Sequence, residues 1–331
     1  MSDARWMGAA LALAARGRGR TAPNPSVGCV IVAHGKPVGR GWTQPGGRPH
    51  AEAMALEQAC DRARGATLYV TLEPCAHQSQ RGPACADLLV AARPARVVIG
   101  AVDPDPRTNG EGIARLEAAG IAVATGICAA EARSAAAGFM MRQREGRPHV
   151  TLKLALSLDG RIALPDGSSR WITGPEARAH GHLERARCDL IVVGRGTYDA
   201  DAPRLDVRLP GLADRSPRHA LLTHGTAPDG WETLARPEAI AALESVDHVL
   251  VEGGAGAAAA FLAADLVDRL LIYRAPILIG AGRDAIGDIG LADLASAHGR
   301  WTIVDTRPLG SDRLDVYERV RGDSHVHGNH H

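Results

Sequence analysis

The sequence predicts an α/β protein of two domains. Three observations carry that expectation. Short β-branched runs alternate with helical stretches in both halves of the chain. A polar segment holding Gly and Pro, Arg142-Gln143-Arg144-Glu145-Gly146-Arg147-Pro148, separates the two series. The 331 residues are enough for two separate cores. The expected division is 1–147, 148–321 and a polar tail, 322–331.

The apolar run Met7 to Ala15 reads as a helix packed on the first domain rather than a secretory signal. Asp3 stands where a leader would be basic, and Arg16, Arg18 and Arg20 follow the run. Strands are expected at Val27–Val32, Thr67–Leu72, Arg96–Ala101 and Ile121–Ala124, with helices after the first three. His50 should open a helix over Ala51–Ala63, Cys85 one over Ala86–Ala92, and a further helix spans Ala129–Gln143. The second half offers strands at Val150–Leu156, Leu190–Val193, Ala220–Thr223, His248–Val251, Arg269–Arg274 and near Leu314–Val320, with helices between several of them. Leu209 to Pro217 reads as a loop, and no internal repeat is visible. The tail carries His325, His327, His330 and His331, and reads as a frayed end rather than a metal site.

Composition excludes several classes. With 38 Lys and Arg against 37 Asp and Glu, no broad cationic surface is available to follow a phosphate backbone. Aromatic residues make up 3% of the chain, which leaves few platforms for stacked bases. A small polar substrate is expected instead of a nucleic acid. No apolar stretch approaches a membrane span. Cys29, Cys60, Cys75, Cys85, Cys128 and Cys188 make no disulfide framework for a chain this long, which points to a reducing cytoplasm.

The residues with the clearest chemistry are His50-Ala51-Glu52, Pro74-Cys75 and Cys85. Imidazole and two thiolates suit zinc, and three protein ligands leave a fourth position for water, as in catalytic sites. Zinc makes such water a source of hydroxide at neutral pH, and a carboxylate that is not a ligand can carry its protons to a departing amine. Glu52 is placed for that role. The grouping resembles the His-x-Glu and Pro-Cys-x-x-Cys signature of zinc nucleobase deaminases, except that nine residues, Ala76 to Ala84, separate the cysteines here. Both His50 and Cys85 are expected at the positive ends of helices. In the second half, Val251-Glu252-Gly253-Gly254-Ala255-Gly256 leads from a strand into the helix Ala257–Leu262. Free amides there can hold phosphate oxygens, although a tight turn with no ligand has the same spacing.

Further segments join these. They are Pro23-Asn24-Pro25-Ser26-Val27-Gly28-Cys29-Val30, Thr71-Leu72-Glu73-Pro74-Cys75-Ala76-His77 and Asp103-Pro104-Asp105-Pro106 in the first half. In the second half they are Leu152-Lys153-Leu154, Ser157-Leu158-Asp159-Gly160-Arg161 and Ser169-Arg170-Trp171-Ile172-Thr173. Over nearly the whole chain the set resembles the bifunctional riboflavin-biosynthesis family that joins diaminohydroxyphosphoribosylaminopyrimidine deaminase to 5-amino-6-(5-phosphoribosylamino)uracil reductase. The resemblance implies a cytidine-deaminase-like three-layer α/β/α domain followed by a dihydrofolate-reductase-like α/β domain. It implies one zinc ion, NADPH and a phosphorylated pyrimidine ribotide as substrate, and the family tends to form homo-oligomers.

The resemblance also assigns residues. Asn24, Arg81, Asp103 and Asp105 take substrate positions in the deaminase. Ser169, Arg185, Leu205, Arg208 and Glu252 take substrate positions in the reductase, where paired guanidinium groups at 185 and 208 suit a phosphate. Lys153, Ala155, Trp171, Thr197, Asp201 and the loop Gly254, Ala255, Gly256 take cofactor positions. The chain departs from the family in Asp105, often Asn, and in a loop one residue longer between Cys75 and Cys85. It departs again in Ala202, where the family has Asp, and in a shortened stretch from Arg208 to Glu252. Other readings are a tRNA-base deaminase with an accessory second domain, a deaminase with an inactive reductase half, and a zinc-stabilised binding protein without turnover.

Overall fold

His34 and Gly35, with φ of +51° and +71°, make the two-residue turn that closes the first hairpin and sets the register of the first sheet. This computed structural model describes residues 2–79 and 81–321. The tail 322–331, with its histidines, lies outside the described residues. The chain divides into two compact units, one of Met1–His149, Arg187–Asp189 and Ala241–His248, the other of Val150–Ala186, Leu190–Ile240 and Val249–His331.

The first unit runs α1 (Asp3–Ala14), β1 (Gly28–Ala33), β2 (Lys36–Trp42), α2 (Ala51–Ala59), β3 (Thr67–Leu72), α3 (Cys85–Ala92), β4 (Arg96–Ala101), α4 (Glu111–Ala118), β5 (Ala122–Thr125), α5 (Ala129–Ala135) and α6 (Ala137–Glu145). Its five strands order as β2-β1-β3-β4-β5. β1 is antiparallel to both neighbours, and β3, β4 and β5 are parallel. Alternation sorts the side chains to two faces. Val30, Val32, Tyr69 and Val98 pack with Met7 and Ala10 of α1, whereas Cys29, Ile31, Leu68, Val70 and Val97 pack with Ala51, Ala55 and Ala59 of α2. Asp3 fastens the start of α1 by accepting from Arg96 at 2.8 Å and from the Tyr69 hydroxyl at 2.9 Å.

Two glycines place α2. A Cβ at Gly41 would lie 2.0 Å from the Ala51 carbonyl oxygen, and one at Gly39 would lie 2.1 Å from that of Ala55. The helix therefore rests directly on the backbone of β2, and this fixes where His50, at its start, must stand. Gly41→Ala is expected to destabilise the fold by about 1–3 kcal/mol through overpacking. Urea unfolding of the full chain checks it, and an unchanged midpoint would remove the contact as a determinant of the fold.

The second unit continues with β6 (His149–Leu156), β7 (Arg161–Ala163), α7 (Pro175–Arg185), β8 (Leu190–Gly194), α8 (Arg195–Asp201), β9 (Arg218–Leu222), β10 (Glu232–Leu234), β11 (His248–Val251), α9 (Ala255–Ala263), β12 (Val267–Arg274), β13 (Arg283–Asp284), β14 (Trp301–Leu309) and β15 (Asp312–Arg319). Eight strands order as β10-β9-β8-β11-β6-β12-β15-β14. The parallel pairings β9–β8, β8–β11 and β6–β12 bury Leu152, Ile191, Val192, Leu221 and Val251, as expected where helices cover both faces. The antiparallel pair β14–β15 ends the sheet, and β13 pairs with β7 apart from it.

Several boundaries differ from the sequence expectation. The helix expected to reach Ala63 stops at Ala59, because Cys60 takes φ +50° and a short 3-10 turn, Cys60–Ala63, follows. The helix expected over Ala129–Gln143 is broken at Ala136 into α5 and α6. Strand β2 was not among the expected elements, since Pro37, Gly39 and Gly41 obscure the β pattern of an edge strand.

Candidate active sites

In the first unit, His50 is the N-cap of α2, in extended conformation, and Glu52 lies in the first turn, 3% exposed. Cys75 follows β3, and Cys85 is the first residue of α3. The Cys75 carbonyl oxygen accepts from Ala86 N–H at 3.1 Å and its sulfur from Cys85 N–H at 3.3 Å, so the start of α3 is tied to the end of β3. His50 Nδ1 lies 3.3 Å from Cys85 Sγ and 3.6 Å from Cys75 Sγ. The three ligand atoms all fall within 4.8 Å of one another. Hydrogen bonding from Cys85 lowers the Cys75 thiol to about 4, and the same contact pushes Cys85 well above its ordinary value. One imidazole nitrogen and two sulfurs within ligand reach of a common centre make a donor set that fits zinc.

Burial raises the Glu52 carboxyl to about 7, against the pull of His50 and with a push from Cys75. A carboxyl in that range, beside but outside the ligand set, can both take and give a proton near neutral pH. Asn24 approaches His50 Nε2 at 3.0 Å while its Nδ2 donates to the Gly47 carbonyl oxygen at 2.8 Å. It thereby turns the imidazole so that Nδ1 faces the sulfurs.

The remaining deaminase-side residues are placed as follows. Arg81 donates to the Gly46 carbonyl oxygen at 2.7 Å on an exposed loop. Asp103 and Asp105 are buried, and Asp103 accepts from Asp105 N–H at 2.8 Å. Burial raises Asp103 to about 7, with Asp105, Glu73 and Cys75 adding to the rise. Asp105 instead lies below the usual carboxylate range because Arg107 donates to it. Two residues given no role from sequence, Glu73 and Arg107, thus border the site. A charged residue closing the apolar strand Thr67–Leu72 is the sequence signal for the first; the second is only a basic residue two places after Asp105.

In the second unit, a cleft of about 640 Å³ opens at the ends of the strands. Lys153, Ala155, Ser169, Trp171, Arg185 and Thr197 line it. So do Asp201, Arg208, Glu252, Gly254, Ala255 and Gly256. Leu205 is not among the lining residues; it is buried, with φ +53°. Ala202, the departure from the family, takes φ +40° at the end of α8, a conformation that Asp tolerates better than Ala.

Glu252 is the electrostatic centre of this cleft. Arg185 donates to it through Nε at 2.7 Å and Nη2 at 2.8 Å, and Lys153 Nζ lies 3.7 Å away. Burial works against ionisation, but Lys153 and Arg185 outweigh it and hold the carboxyl at about 2. The arginines expected to grip one phosphate converge on residue 206: Arg185 Nη1 donates to the Asp206 carbonyl oxygen at 3.1 Å, and Arg208 pairs with the Asp206 carboxylate. Gly254 caps α9, and its N–H donates to Thr197 Oγ1 at 2.7 Å. Trp171 is 65% exposed at the rim, with the Arg178 guanidinium 5.0 Å from its ring centroid. A Gly-lined helix start on a roomy cleft with an aromatic rim fits a dinucleotide cofactor.

Comparison with known proteins agrees with both halves. Residues 1–101 match the model described as the cytidine and deoxycytidylate deaminase zinc-binding region, and 148–241 with 233–314 match the RibD C-terminal domain. The riboflavin biosynthesis protein RibD of Escherichia coli K12 is 38% identical, over 94% of this chain and 98% of its own length. RibD of Mycobacterium tuberculosis H37Rv is 40% identical, over 93% and 95%. Among solved structures, the diaminohydroxyphosphoribosylaminopyrimidine deaminase/5-amino-6-(5-phosphoribosylamino)uracil reductase of Thermotoga maritima superposes with a TM-score of 0.86 at 31% identity, covering 96% of this chain and 98% of that one. Acinetobacter baumannii RibD gives 0.83 at 35%, covering 96% and 99%. With both domains matched in order and nearly the full length covered, the chain belongs to the RibD family of riboflavin biosynthesis proteins.

Proposed function

We propose that the chain is a bifunctional enzyme of riboflavin biosynthesis. Residues 1–147 form the deaminase acting on 2,5-diamino-6-(5-phosphoribosylamino)pyrimidin-4(3H)-one, and 148–321 the NADPH-dependent reductase that converts the ribosyl group of the deaminated product to ribityl. The observation that carries this reading is the meeting of His50, Cys75 and Cys85 beside the buried Glu52. Zinc, when bound, activates a water for attack on the pyrimidine carbon that bears the amine. Glu52 accepts the proton of that water on a carboxylate oxygen and returns it to the departing nitrogen, so ammonia leaves as a neutral molecule. His50, Cys75 and Cys85 hold the metal, Asn24 orients His50, and Asp103 and Asp105 face the pyrimidine. Arg81 is the cation offered to the ribose phosphate.

In the reductase, NADPH supplies the hydride to ribose C1. The chain's part is to seat the two molecules against each other. The amides at the start of α9, with Thr197, hold cofactor phosphate, and Trp171, Ala155 and Asp201 flank the rest of the cofactor. Lys153, one of only two lysines in the chain, stands with Arg185 on Glu252 at the floor of the cleft. Ser169 and Arg208, which line the cleft, complete the substrate side. All six cysteines are free of disulfides, which supports a cytoplasmic setting. Among the described residues no helix is long and apolar enough to cross a membrane.

The test is ammonia release from the diaminopyrimidine ribotide and from a tRNA anticodon stem, followed by NADPH oxidation on the deaminated ribotide. Release from the ribotide and cofactor oxidation are expected; release from tRNA alone, or no oxidation at saturating NADPH, would overturn the assignment. A second expectation concerns Arg107, the counter-charge of Asp105. Arg107→Ala should raise the KM for the ribotide about threefold with kcat unchanged, the size of a half-exposed ion pair. Adding Asp105→Asn should cancel the effect, because a carboxamide needs no counter-charge. Equal KM values in the parent and Arg107→Ala enzymes would show that the pair does not tune the site.

A further inference from the structure

Glu73 ends the apolar run of β3, two residues before Cys75, and is 3% exposed. A buried carboxylate is costly unless its oxygens are satisfied. Here they are satisfied by the backbone of a segment thirty to forty residues away: Oε1 accepts from the N–H groups of Gly110 at 3.0 Å, Gly112 at 3.0 Å and Ile113 at 3.2 Å. Oε2 accepts from Gly110 N–H at 3.1 Å and Asp103 N–H at 3.3 Å. The donors bracket one loop, with Asp103 at its beginning and the others where it enters α4. A second contact works at the same place: a Cβ at Gly112 would lie 2.1 Å from the Pro74 carbonyl oxygen. The loop is therefore pressed against the chain that carries Cys75 and closed on a single side chain. Glu73 is not in the ligand cluster, and its oxygens face backbone donors.

We propose that Glu73 is a positioning residue of the deaminase. It fastens the loop Asp103–Gly110 to the segment bearing Cys75 and so fixes the Asp103 and Asp105 carboxylates as one wall of the pyrimidine site. This rests on the deaminase reading above. Loosening the loop leaves Glu52 and the metal ligands in place, so the loss falls on substrate affinity rather than turnover.

Glu73→Gln in the full zinc-loaded chain is the test. Its carboxamide can keep an oxygen toward Gly112 and Ile113 but must set an NH₂ against the Asp103 amide, donor against donor. The KM for the diaminopyrimidine ribotide is expected to rise about tenfold. Turnover should stay within about threefold, and zinc content and NADPH oxidation should match the parent protein. An unchanged KM overturns the proposal, and so does a fall in turnover with loss of zinc. Amide exchange in the parent chain gives a measure that does not depend on the variant folding: Asp103, Gly110, Gly112 and Ile113 should be strongly protected. Exchange at the rate of an open loop overturns it. A parent protein that releases no ammonia from the ribotide refutes the deaminase reading itself, whereas a working parent with an indistinguishable Glu73→Gln variant refutes only the role of Glu73.

Discussion

Glu52→Gln is expected to reduce ammonia release by roughly 10²- to 10⁴-fold, the range general acid–base groups contribute, with zinc still bound. The side chain lies in the first turn of α2, and the same turn carries the ligand His50. The glutamine has the same shape, so α2, His50 and the sulfurs keep their places. It cannot take a proton from water and pass it on, and deamination requires both transfers. NADPH oxidation on the deaminated ribotide should proceed at its original rate, because the described residues that line the reductase cleft all belong to the second unit. Ammonia release measured alongside metal content checks this. A variant that keeps most of its activity would remove Glu52 as the proton carrier; one that loses zinc would make it a structural support of the metal site.

The second large effect falls on Glu252. Glu252→Gln leaves Arg185 and Lys153 facing each other without the carboxylate that pairs them, and breaking a buried pair in this way is worth about 3–5 kcal/mol. Reduction is expected to fall by at least about a hundredfold in kcat/KM, with deamination unchanged. The same carboxylate gives a pH signature. Its value is held at about 2, below the ordinary 4.5, so its contribution to stability is complete above about pH 4.5 and is lost as the pH falls toward 2. Acid unfolding of the parent should steepen through that window, and the variant should lack the added slope. Identical acid profiles would place the pair outside the determinants of stability.

Much of the first site was legible in the sequence because its chemistry is local. His50 and Glu52 share one helical turn, Cys75 follows an apolar strand and Cys85 opens an apolar helix, so spacing and residue type locate them together. The glycine loop before α9 was legible for the same reason. The partners that hold these groups were not. Asn24 reaches His50 across twenty-six residues and Glu73 reaches the start of α4 across about forty, and neither distance leaves a periodic trace. The reductase floor has the same character: Lys153, Arg185 and Glu252 come from β6, α7 and the end of β11, and only the folded sheet joins them. Nor does spacing show that Arg185 spends its fork on Glu252, since a guanidinium suits carboxylate and phosphate equally. Among the elements, β2 was hidden by its glycines, the same glycines that let α2 carry His50 into place.

Two chemistries on one chain, only one of which needs a metal, are tested most directly by stripping zinc from the purified protein and assaying both reactions on the same sample. Ammonia release from the diaminopyrimidine ribotide should disappear and return on adding one equivalent of zinc, while NADPH oxidation on the deaminated ribotide continues unchanged throughout. Ammonia release that survives complete removal of metal would contradict the site built on His50, Cys75 and Cys85, and a reduction rate that falls with the zinc would contradict the independence of the two sites.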